Sequence, residues 1–128
     1  METQRTLAQG ETVGFHSGEA ASAWLAIPYA VPPQGDLRWR APRPALAFDD
    51  GRLEAIEHGP VCPQVTNELS ARAAGVEAGV LIGEEDCLTL DIYAPRDAAP
   101  EAGLPVMVWI HGGAYEWGSG GAPMYDDA

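Results

Sequence analysis

The strongest structural signal in the chain is PVMVWIHGGAYEWGSGG, residues 105–121. Its first part, VMVWI at 106–110, is a continuous apolar run that stands between Pro105 and a loop with paired glycines. A short apolar run that does not alternate with polar residues is typical of a strand buried on both faces. The sequence therefore predicts a doubly buried strand that ends in a loop of nearly bare backbone, HGGA at 111–114.

A second strand is predicted upstream, where CLTLDIYAP at 87–95 alternates apolar and polar residues. Leu88, Leu90 and Ile92 fall on one face, which is typical of a half-buried strand. A half-buried strand followed by a doubly buried one predicts a mixed sheet covered by helices on both sides. Almost no helical pattern is visible, however. Either residues outside this chain complete the sheet, or the apolar run at 106–110 is left exposed.

The rest of the chain divides into three blocks. ETVGF at 11–15 and AASAWLAIPYA at 20–30 predict a small hairpin around the turn signal HSGE. The proline-rich segment 31–46 is predicted to run as an extended, irregular stretch over the surface, because proline removes amide donors and blocks helices. Residues 62–87 are predicted to form a long loop with one weak helix at 68–74.

Composition limits the classes of function. A chain of 128 residues with 46% hydrophobic content has the size and apolar fraction of about one domain. Its 19 acidic residues outnumber 7 basic ones, so a nucleic-acid partner is not expected. The polar start METQRTLAQGET has no secretory apolar region and no run approaches the ~20 apolar residues that span a bilayer. We expect no membrane partner, a cytoplasmic location, no cofactor and no metal.

Four blocks together carry a family resemblance: IPYAVPPQGDLRWRAPRP, CPQ, GEEDCLTLDIYAP and PVMVWIHGGAYEWGSG. In order and spacing they closely resemble the start of type B carboxylesterases, the α/β-hydrolase group that contains cholinesterases and bacterial para-nitrobenzyl esterases. The resemblance covers nearly the whole chain. It implies an incomplete α/β-hydrolase fold, in which residues 1–128 are the N-terminal part of a single domain that is truncated at its C-terminus.

The resemblance also implies a role for the HGGA sequence. In α/β-hydrolases, backbone N–H groups of such a loop point at the scissile carbonyl oxygen as it becomes an oxyanion. By position in the motif, Gly113 and Ala114 supply two donors and Gly112 permits the turn. The alternatives are a plain glycine-rich exit from a strand or a nucleotide loop. Neither nucleotide-binding glycine pattern occurs in the chain, and the three other blocks favour the oxyanion interpretation.

The remaining catalytic groups are not identified in this chain. In this fold the triad runs in the order serine, acid, histidine. His16, His58 and His111 all lie in the part that precedes the nucleophile, and no serine stands in a GxSxG sequence. The resemblance implies a serine carboxylic-ester hydrolase acting on a small-molecule ester in the full-length protein. The chain alone is predicted to be inactive and to need the remainder of the hydrolase domain to complete its sheet.

Two further pairs of residues match family features. Cys62 and Cys87 match the cysteines that close a loop near the active-site gorge in many members, and two free thiols are the alternative. Arg38 and Glu85 match a buried ion pair that holds this loop region, and two surface charges are the alternative.

The chain also departs from the family pattern. Thr89 stands where an aromatic residue is common, and Asp91 stands where asparagine is common. Tyr115 and Trp117, which follow the HGGA sequence, are predicted to line the acyl or alcohol pocket. Glu116 between them has no explanation at this level.

Two other functions stay open from the sequence. One is an esterase-like binding module that has lost catalysis and serves in cell adhesion, although the retained HGGA sequence weighs against it. The other is a self-sufficient small domain, which requires a cover for the apolar run at 106–110 from within the chain or from a partner. Without such a cover, we expect the isolated chain to associate through this run.

Overall fold

A computed structural model describes residues 2–99 and 101–125, and this part of the chain is mostly β-structure. In chain order the strands are β1 (Glu2–Leu7), β2 (Gly10–Ser17), β3 (Ala21–Pro28), β4 (Arg52–Glu54), β5 (Gln64–Val65), β6 (Leu81–Ile82) and β7 (Thr89–Pro95). The helix α1 spans Glu68–Ala74, and single 3-10 turns lie at Gly35–Leu37, Asp49–Gly51 and Pro123–Tyr125.

The main sheet has five strands within the described residues. Strands β1, β2, β3 and β7 are antiparallel neighbours in that order, and β4 pairs in parallel with β2. The predicted hairpin is confirmed as β2 and β3, with Phe15 opposite Ala23 and Ser17 opposite Ala21. The polar strand β1 was not predicted. It pairs with β2 along its full length, from Glu2 opposite Phe15 to Leu7 opposite Gly10. Backbone hydrogen bonds to a neighbour create this strand, and its side-chain pattern gives little sign of it.

Strand β3 bends in the middle. Its register with β7 shifts between Trp24 and Ile27, and Ala26 in this bulge has a φ of +54°. The freed N–H of Ala26 donates to Oδ1 of Asp91 on β7, at 2.8 Å. A bulge leaves a backbone group without its ladder partner, and here a side chain from the next strand supplies the acceptor.

The space that opens between β2 and β3 is filled by the residue after β4. Ala55 donates its N–H to the carbonyl of Val13 at 2.7 Å and accepts from the N–H of Leu25 at 2.9 Å. It therefore bridges two neighbouring strands, and it is 1% exposed. The centre of the core lies here, formed by Trp24, Ile27 and Ala55.

The region between Cys62 and Cys87 contains the predicted helix. Asn67 and Ser70 form a reciprocal capping box at its start, with Asn67 Oδ1 accepting from the Ser70 N–H at 2.8 Å. Gly75 ends it in the left-handed conformation, with φ +69°. The prediction of a helix at 68–74 is confirmed, and the short pair β5 and β6 flanks it.

The apolar run at 106–110 differs from its prediction. It belongs to neither sheet of the described residues, and Val106, Met107, Val108 and Ile110 are 80–89% exposed. Trp109 is 53% exposed and meets the Tyr125 ring edge-on, with centroids 4.5 Å apart. The prediction of a strand buried on both faces is therefore wrong for the described residues. Burial on both faces needs a neighbour on each, and within 2–99 and 101–125 none is present.

The prediction of strand β7 is confirmed, but the prediction of which of its faces is buried is wrong. Leu90 and Ile92 are 42% and 38% exposed, while Thr89 and Asp91 on the other face are less exposed. The chain around Gly59 packs on the Thr89 side, where a Cβ added to Gly59 would overlap the Thr89 hydroxyl. The covering helices predicted from the sequence are also missing from the described part, whose one α-helix has 7 residues.

Candidate functional site

The HGGA loop, defined here as residues 111–118, is folded back on itself. The carbonyl of Gly113 accepts hydrogen bonds from the N–H groups of Glu116 at 3.0 Å and Trp117 at 3.2 Å. Gly113 has a φ of +125°, and a Cβ at this position would overlap the Trp117 carbonyl oxygen. The tight turn therefore requires glycine at Gly113. This differs from the expectation for Gly112, where a Cβ would meet open space and where φ lies outside the left-handed region.

The next two residues of the loop are also in unusual conformations. Ala114 has a φ of +55° and Tyr115 a φ of +64°, so three consecutive residues have positive φ. Such conformations are uncommon for residues that carry a Cβ, and they cost on the order of 1–3 kcal/mol each. They persist where the surrounding structure imposes them, and they cluster at ligand-binding loops.

The backbone N–H groups of Gly113 and Ala114 are available to a ligand. Neither donates to any acceptor among the described residues. The His111 ring approaches its own neighbour, with Nδ1 2.7 Å from the Gly112 carbonyl oxygen, and does not occupy the two N–H groups. Two adjacent unpaired donors at a constrained turn can together hold one oxygen that carries negative charge.

The two aromatic residues of the loop lie in different surroundings. Trp117 lines a mostly apolar cavity of about 120 Å³ that lies between the HGGA loop, β5 and the turn at Pro123–Tyr125. Tyr115 is fully exposed to solvent. Trp117 therefore lies at a cavity wall in the described structure. That either residue lines the acyl or alcohol pocket stays a prediction.

Cys62 and Cys87 are neighbouring free thiols in this structure. Burial raises the pKa of Cys87 to about 11, and the charge and hydrogen bond of the adjacent Cys62 thiol act in the same direction. Glu85 and Asp86 add smaller repulsive contributions to this pKa. Of the two alternatives left open by the sequence, the described structure has the free thiols.

Arg38 and Glu85 meet as predicted from the resemblance, but at the surface. Arg38 Nη2 lies 3.2 Å from Glu85 Oε1, and the two side chains are 54% and 39% exposed. The expectation of a buried pair is therefore wrong for the described residues. The physical reason is the course of the proline-rich segment 31–46, which runs along the outside and leaves the guanidinium in contact with solvent.

Two histidine contacts resemble parts of a catalytic triad, and neither is complete among the described residues. His16 Nδ1 lies 3.0 Å from Ser22 Oγ, but Ser22 is 1% exposed and cannot reach a substrate. His58 Nδ1 lies 2.8 Å from Asp91 Oδ2. Because a carboxylate only accepts, Nδ1 carries the hydrogen in this pair. The imidazole also packs on the backbone of Gly121, where a Cβ would come within 2.6 Å of the ring.

Sequence reasoning missed this use of Asp91. Its two oxygens join the Ala26 N–H of the β3 bulge to His58, so a carboxylate stands where the family pattern has asparagine. The available signal was the departure itself, because aspartate offers a second acceptor oxygen where asparagine would offer an amide NH2 group. The pair ties the main sheet to the segment after the HGGA loop through the contact of His58 with Gly121.

Gln64 is the second residue that sequence reasoning passed over. It is 7% exposed, and its side chain bonds to Gly118 at the end of the HGGA loop, 54 residues away in the sequence. The sequence offered only its place in the CPQ block, which predicts no contact. The described residues contain no helix that could cross a membrane and no cluster of three or more His, Cys, Asp and Glu side chains suited to a metal ion.

Comparison with known proteins places the chain in a family. A sequence profile of the carboxylesterase family matches residues 1–128. The para-nitrobenzyl esterase of Bacillus subtilis (strain 168) is 43% identical over 103 residues, which are 80% of this chain and 20% of that protein. The liver carboxylesterase of Sus scrofa is 38% identical over 130 residues, which cover 93% of this chain and 22% of that protein.

Solved structures agree with the sequence comparison. A thermophilic PNB esterase superposes with a TM-score of 0.81 at 40% identity, over 98% of this chain and 24% of that one. A second PNB esterase structure gives a TM-score of 0.79 at 38% identity. The chain spans about a fifth of the length of the curated relatives described above. With matches in motif order, sequence and three-dimensional structure, the chain belongs to the carboxylesterase family.

Proposed function

We propose that the chain is the N-terminal part of a single α/β-hydrolase domain in a serine carboxylic-ester hydrolase, and that it supplies the oxyanion hole. The observation that carries this proposal is the pair of unpaired N–H groups at Gly113 and Ala114, held in a loop with three consecutive positive φ values. The family supports it, as does the short span of the relatives that this chain covers.

The reaction assigned to the complete protein is attack of a serine hydroxyl on the carbonyl carbon of a small-molecule ester. A histidine takes the serine proton and later returns it to the leaving alcohol, while an acidic residue orients the histidine. The N–H groups of Gly113 and Ala114 donate to the carbonyl oxygen as it gains charge. One such donor contributes about 3–4 kcal/mol of transition-state stabilisation.

In this proposal the serine, the acid and the base come from the remainder of the domain. The same remainder covers the exposed run at 106–110 and the face of β7 that carries Leu90 and Ile92. An apolar strand with unpaired edges is stabilised by neighbouring strands and covering helices. The 128-residue chain by itself is therefore expected to lack ester turnover.

The test uses the complete protein and a para-nitrophenyl ester as a chromogenic substrate. Gly113→Ala is expected to lower kcat about 100- to 1,000-fold, because the added methyl group overlaps the Trp117 carbonyl and displaces the two donors. Gly120→Ala is the matched control, since its Cβ meets open space in the same segment, and it is expected to keep kcat within about twofold.

Three results would contradict the proposal. If Gly113→Ala retained the kcat of the wild type, the two N–H groups would have no part in catalysis. If the complete wild-type protein bound esters without hydrolysing them, a catalytically silent binding module would be the better description. Saturable hydrolysis by residues 1–128 alone would show that the nucleophile lies within this chain.

A further inference from the structure

We propose that Gln64 is a positioning residue that holds the HGGA loop in its donor-presenting conformation. This inference rests on the proposed function of the loop and deepens it by naming the residue that fixes its geometry. Gln64 lies on β5, outside the loop, and it touches neither of the two candidate donors. Its effect is transmitted through Gly118.

The contact between Gln64 and Gly118 is bidentate. Gln64 Oε1 accepts from the Gly118 N–H at 2.7 Å, and Gln64 Nε2 donates to the Gly118 carbonyl oxygen at 3.1 Å. Nε2 also donates to the Cys62 carbonyl oxygen at 2.9 Å, so both amide hydrogens are used. A side chain that grips the N–H and the C=O of one residue fixes both the position and the orientation of that residue.

Only an amide side chain can make this set of contacts. It must donate twice and accept once within a space that is 7% exposed. An ionised glutamate accepts but does not donate, and methionine has a similar length but offers neither strong donor nor strong acceptor. Buried polar groups that lose their partner cost about 1–3 kcal/mol, so removal of the amide favours a shift of Gly118.

Gly118 in turn is packed against the start of the loop. A Cβ on Gly118 would lie 2.8 Å from the Gly112 carbonyl oxygen and 2.9 Å from His111 Nδ1. The hydrogen bonds from Glu116 and Trp117 to the Gly113 carbonyl close the short path between the two ends of the turn. A displacement of Gly118 therefore reaches Gly113 and Ala114 within one turn of chain.

The strained dihedrals of the loop require such an external hold. Ala114 and Tyr115 have positive φ, and the backbone hydrogen bonds inside the described loop run from Glu116 and Trp117 to the Gly113 carbonyl. Conformations of this kind relax when the surrounding constraints are removed. A relaxed loop would aim the two N–H groups away from the substrate oxygen, and a misplacement of about 1 Å can cost about 100-fold in rate.

The experiment compares Gln64→Met with Thr66→Val in the complete protein, using the same para-nitrophenyl ester. Thr66 is a matched control: it is 3% exposed and its hydroxyl bonds to Glu77 and Val80, in a different loop. We expect Gln64→Met to lower kcat about 10- to 100-fold with KM changed less than about threefold. Thr66→Val is expected to lower the Tm at least as much while kcat stays within about threefold.

Gln64→Glu is a second test variant. It keeps the length of the side chain and the acceptor for the Gly118 N–H, but it loses both donated hydrogen bonds. Its kcat should fall at least as far as that of Gln64→Met, because a carboxylate oxygen then faces the carbonyl oxygens of Cys62 and Gly118, to which it cannot donate. The positioning role is overturned if Gln64→Met keeps kcat within about threefold of wild type, or if both Gln64→Met and Thr66→Val lose activity in proportion to stability. It is equally overturned if neither Gln64 variant folds, because Gln64 then serves folding as a whole.

A measurement without turnover separates this inference from the proposed function. Hydrogen exchange of a peptide that covers residues 112–121 should speed up about tenfold in Gln64→Met and stay unchanged in Thr66→Val. If the wild type proves inactive but this difference is found, the proposed function fails while the hold on the loop stands. If exchange is unchanged in Gln64→Met, the hold on the loop is refuted whatever the activity.

Discussion

Two five-residue apolar runs in this molecule differ in burial. AWLAI at 23–27 lies in β3, where Ala23, Trp24, Leu25 and Ile27 are at most 5% exposed. VMVWI at 106–110 also contains one tryptophan and has no alanine, yet four of its side chains are at least 80% exposed. Hydrophobicity by itself therefore does not explain which run is buried.

The difference lies in the neighbours. The run at 23–27 has β2 on one edge and β7 on the other, and Ala55 fills the gap at its bulge. The run at 106–110 pairs with no strand in the part of the chain that the structure describes. An apolar run indicates that a segment is stabilised by burial. The segments that bury it are encoded elsewhere in the sequence.

The sharpest test of this comparison replaces one tryptophan in each run, in the 128-residue chain at a concentration low enough to keep it monomeric. Trp24→Ala is expected to cost about 3–5 kcal/mol of unfolding free energy, because it empties a 3% exposed site in the core. Trp109→Ala is expected to cost at most about 1.5 kcal/mol, the range for an aromatic pair, since its main partner is the edge-on ring of Tyr125. Urea titration followed by far-UV circular dichroism measures both.

Trp24→Phe serves as the control for the covered run. In the wild type the Arg5 guanidinium carbon lies 4.9 Å from the centroid of the Trp24 ring, and phenylalanine keeps an aromatic ring beneath it. The substitution also removes a buried indole N–H that has no acceptor among the described residues. We expect it to cost clearly less than Trp24→Ala. Equal losses for Trp24→Ala and Trp109→Ala would mean that the run at 106–110 is covered in solution.

A second, smaller effect tests how much the Asp91 side chain on β7 stabilises the bulge in β3. Asp91→Ala removes the acceptor for the Ala26 N–H and is expected to cost about 1–3 kcal/mol, because a part-buried donor is left unsatisfied. Asp91→Asn keeps an amide oxygen for this N–H and should cost less. Urea titration of the three proteins gives the order, and a larger loss for asparagine than for alanine would contradict it.

The smallest effect concerns a polar contact that, like the run at 106–110, lies in solvent. Removing Arg38, Glu85 or both by alanine substitution is expected to give a coupling energy of about 0–1 kcal/mol, because both partners are exposed and screened. The double-mutant cycle is measured by urea titration at low and high salt, and the coupling should fall as salt rises. A coupling well above 1 kcal/mol that is insensitive to salt would indicate a buried pair.

Much of the local structure could be predicted from the sequence. The hairpin of β2 and β3, the helix at 68–74 and the strand β7 all follow from periodicity, turn residues and caps that act within a few residues. Strand β1 could not be predicted, since its polar side chains show no burial pattern and its pairing depends on β2. The buried face of β7 was assigned wrongly because alternation identifies two faces without saying which one is packed.

The candidate site divides in the same way. The HGGA loop stood out because glycine and alanine after an apolar run are a local signal, and Gly113 indeed occupies a position that no larger residue could take. The sequence could not tell which of the two glycines the turn requires. The answer is Gly113, and it depends on how closely the chain returns to the Trp117 carbonyl. Gln64 was beyond reach because its partner Gly118 lies 54 residues away.

The sequence by itself determined the family, through four blocks in a set order, and the elements that short-range patterns encode. Only the tertiary structure decided that the AWLAI run is covered and the VMVWI run is exposed, and that Arg38 and Glu85 meet in solvent. It alone brought Gln64 to Gly118 and His58 to Asp91. The reason is that propensity acts between near neighbours, whereas burial and bidentate hydrogen bonds depend on where distant segments come together.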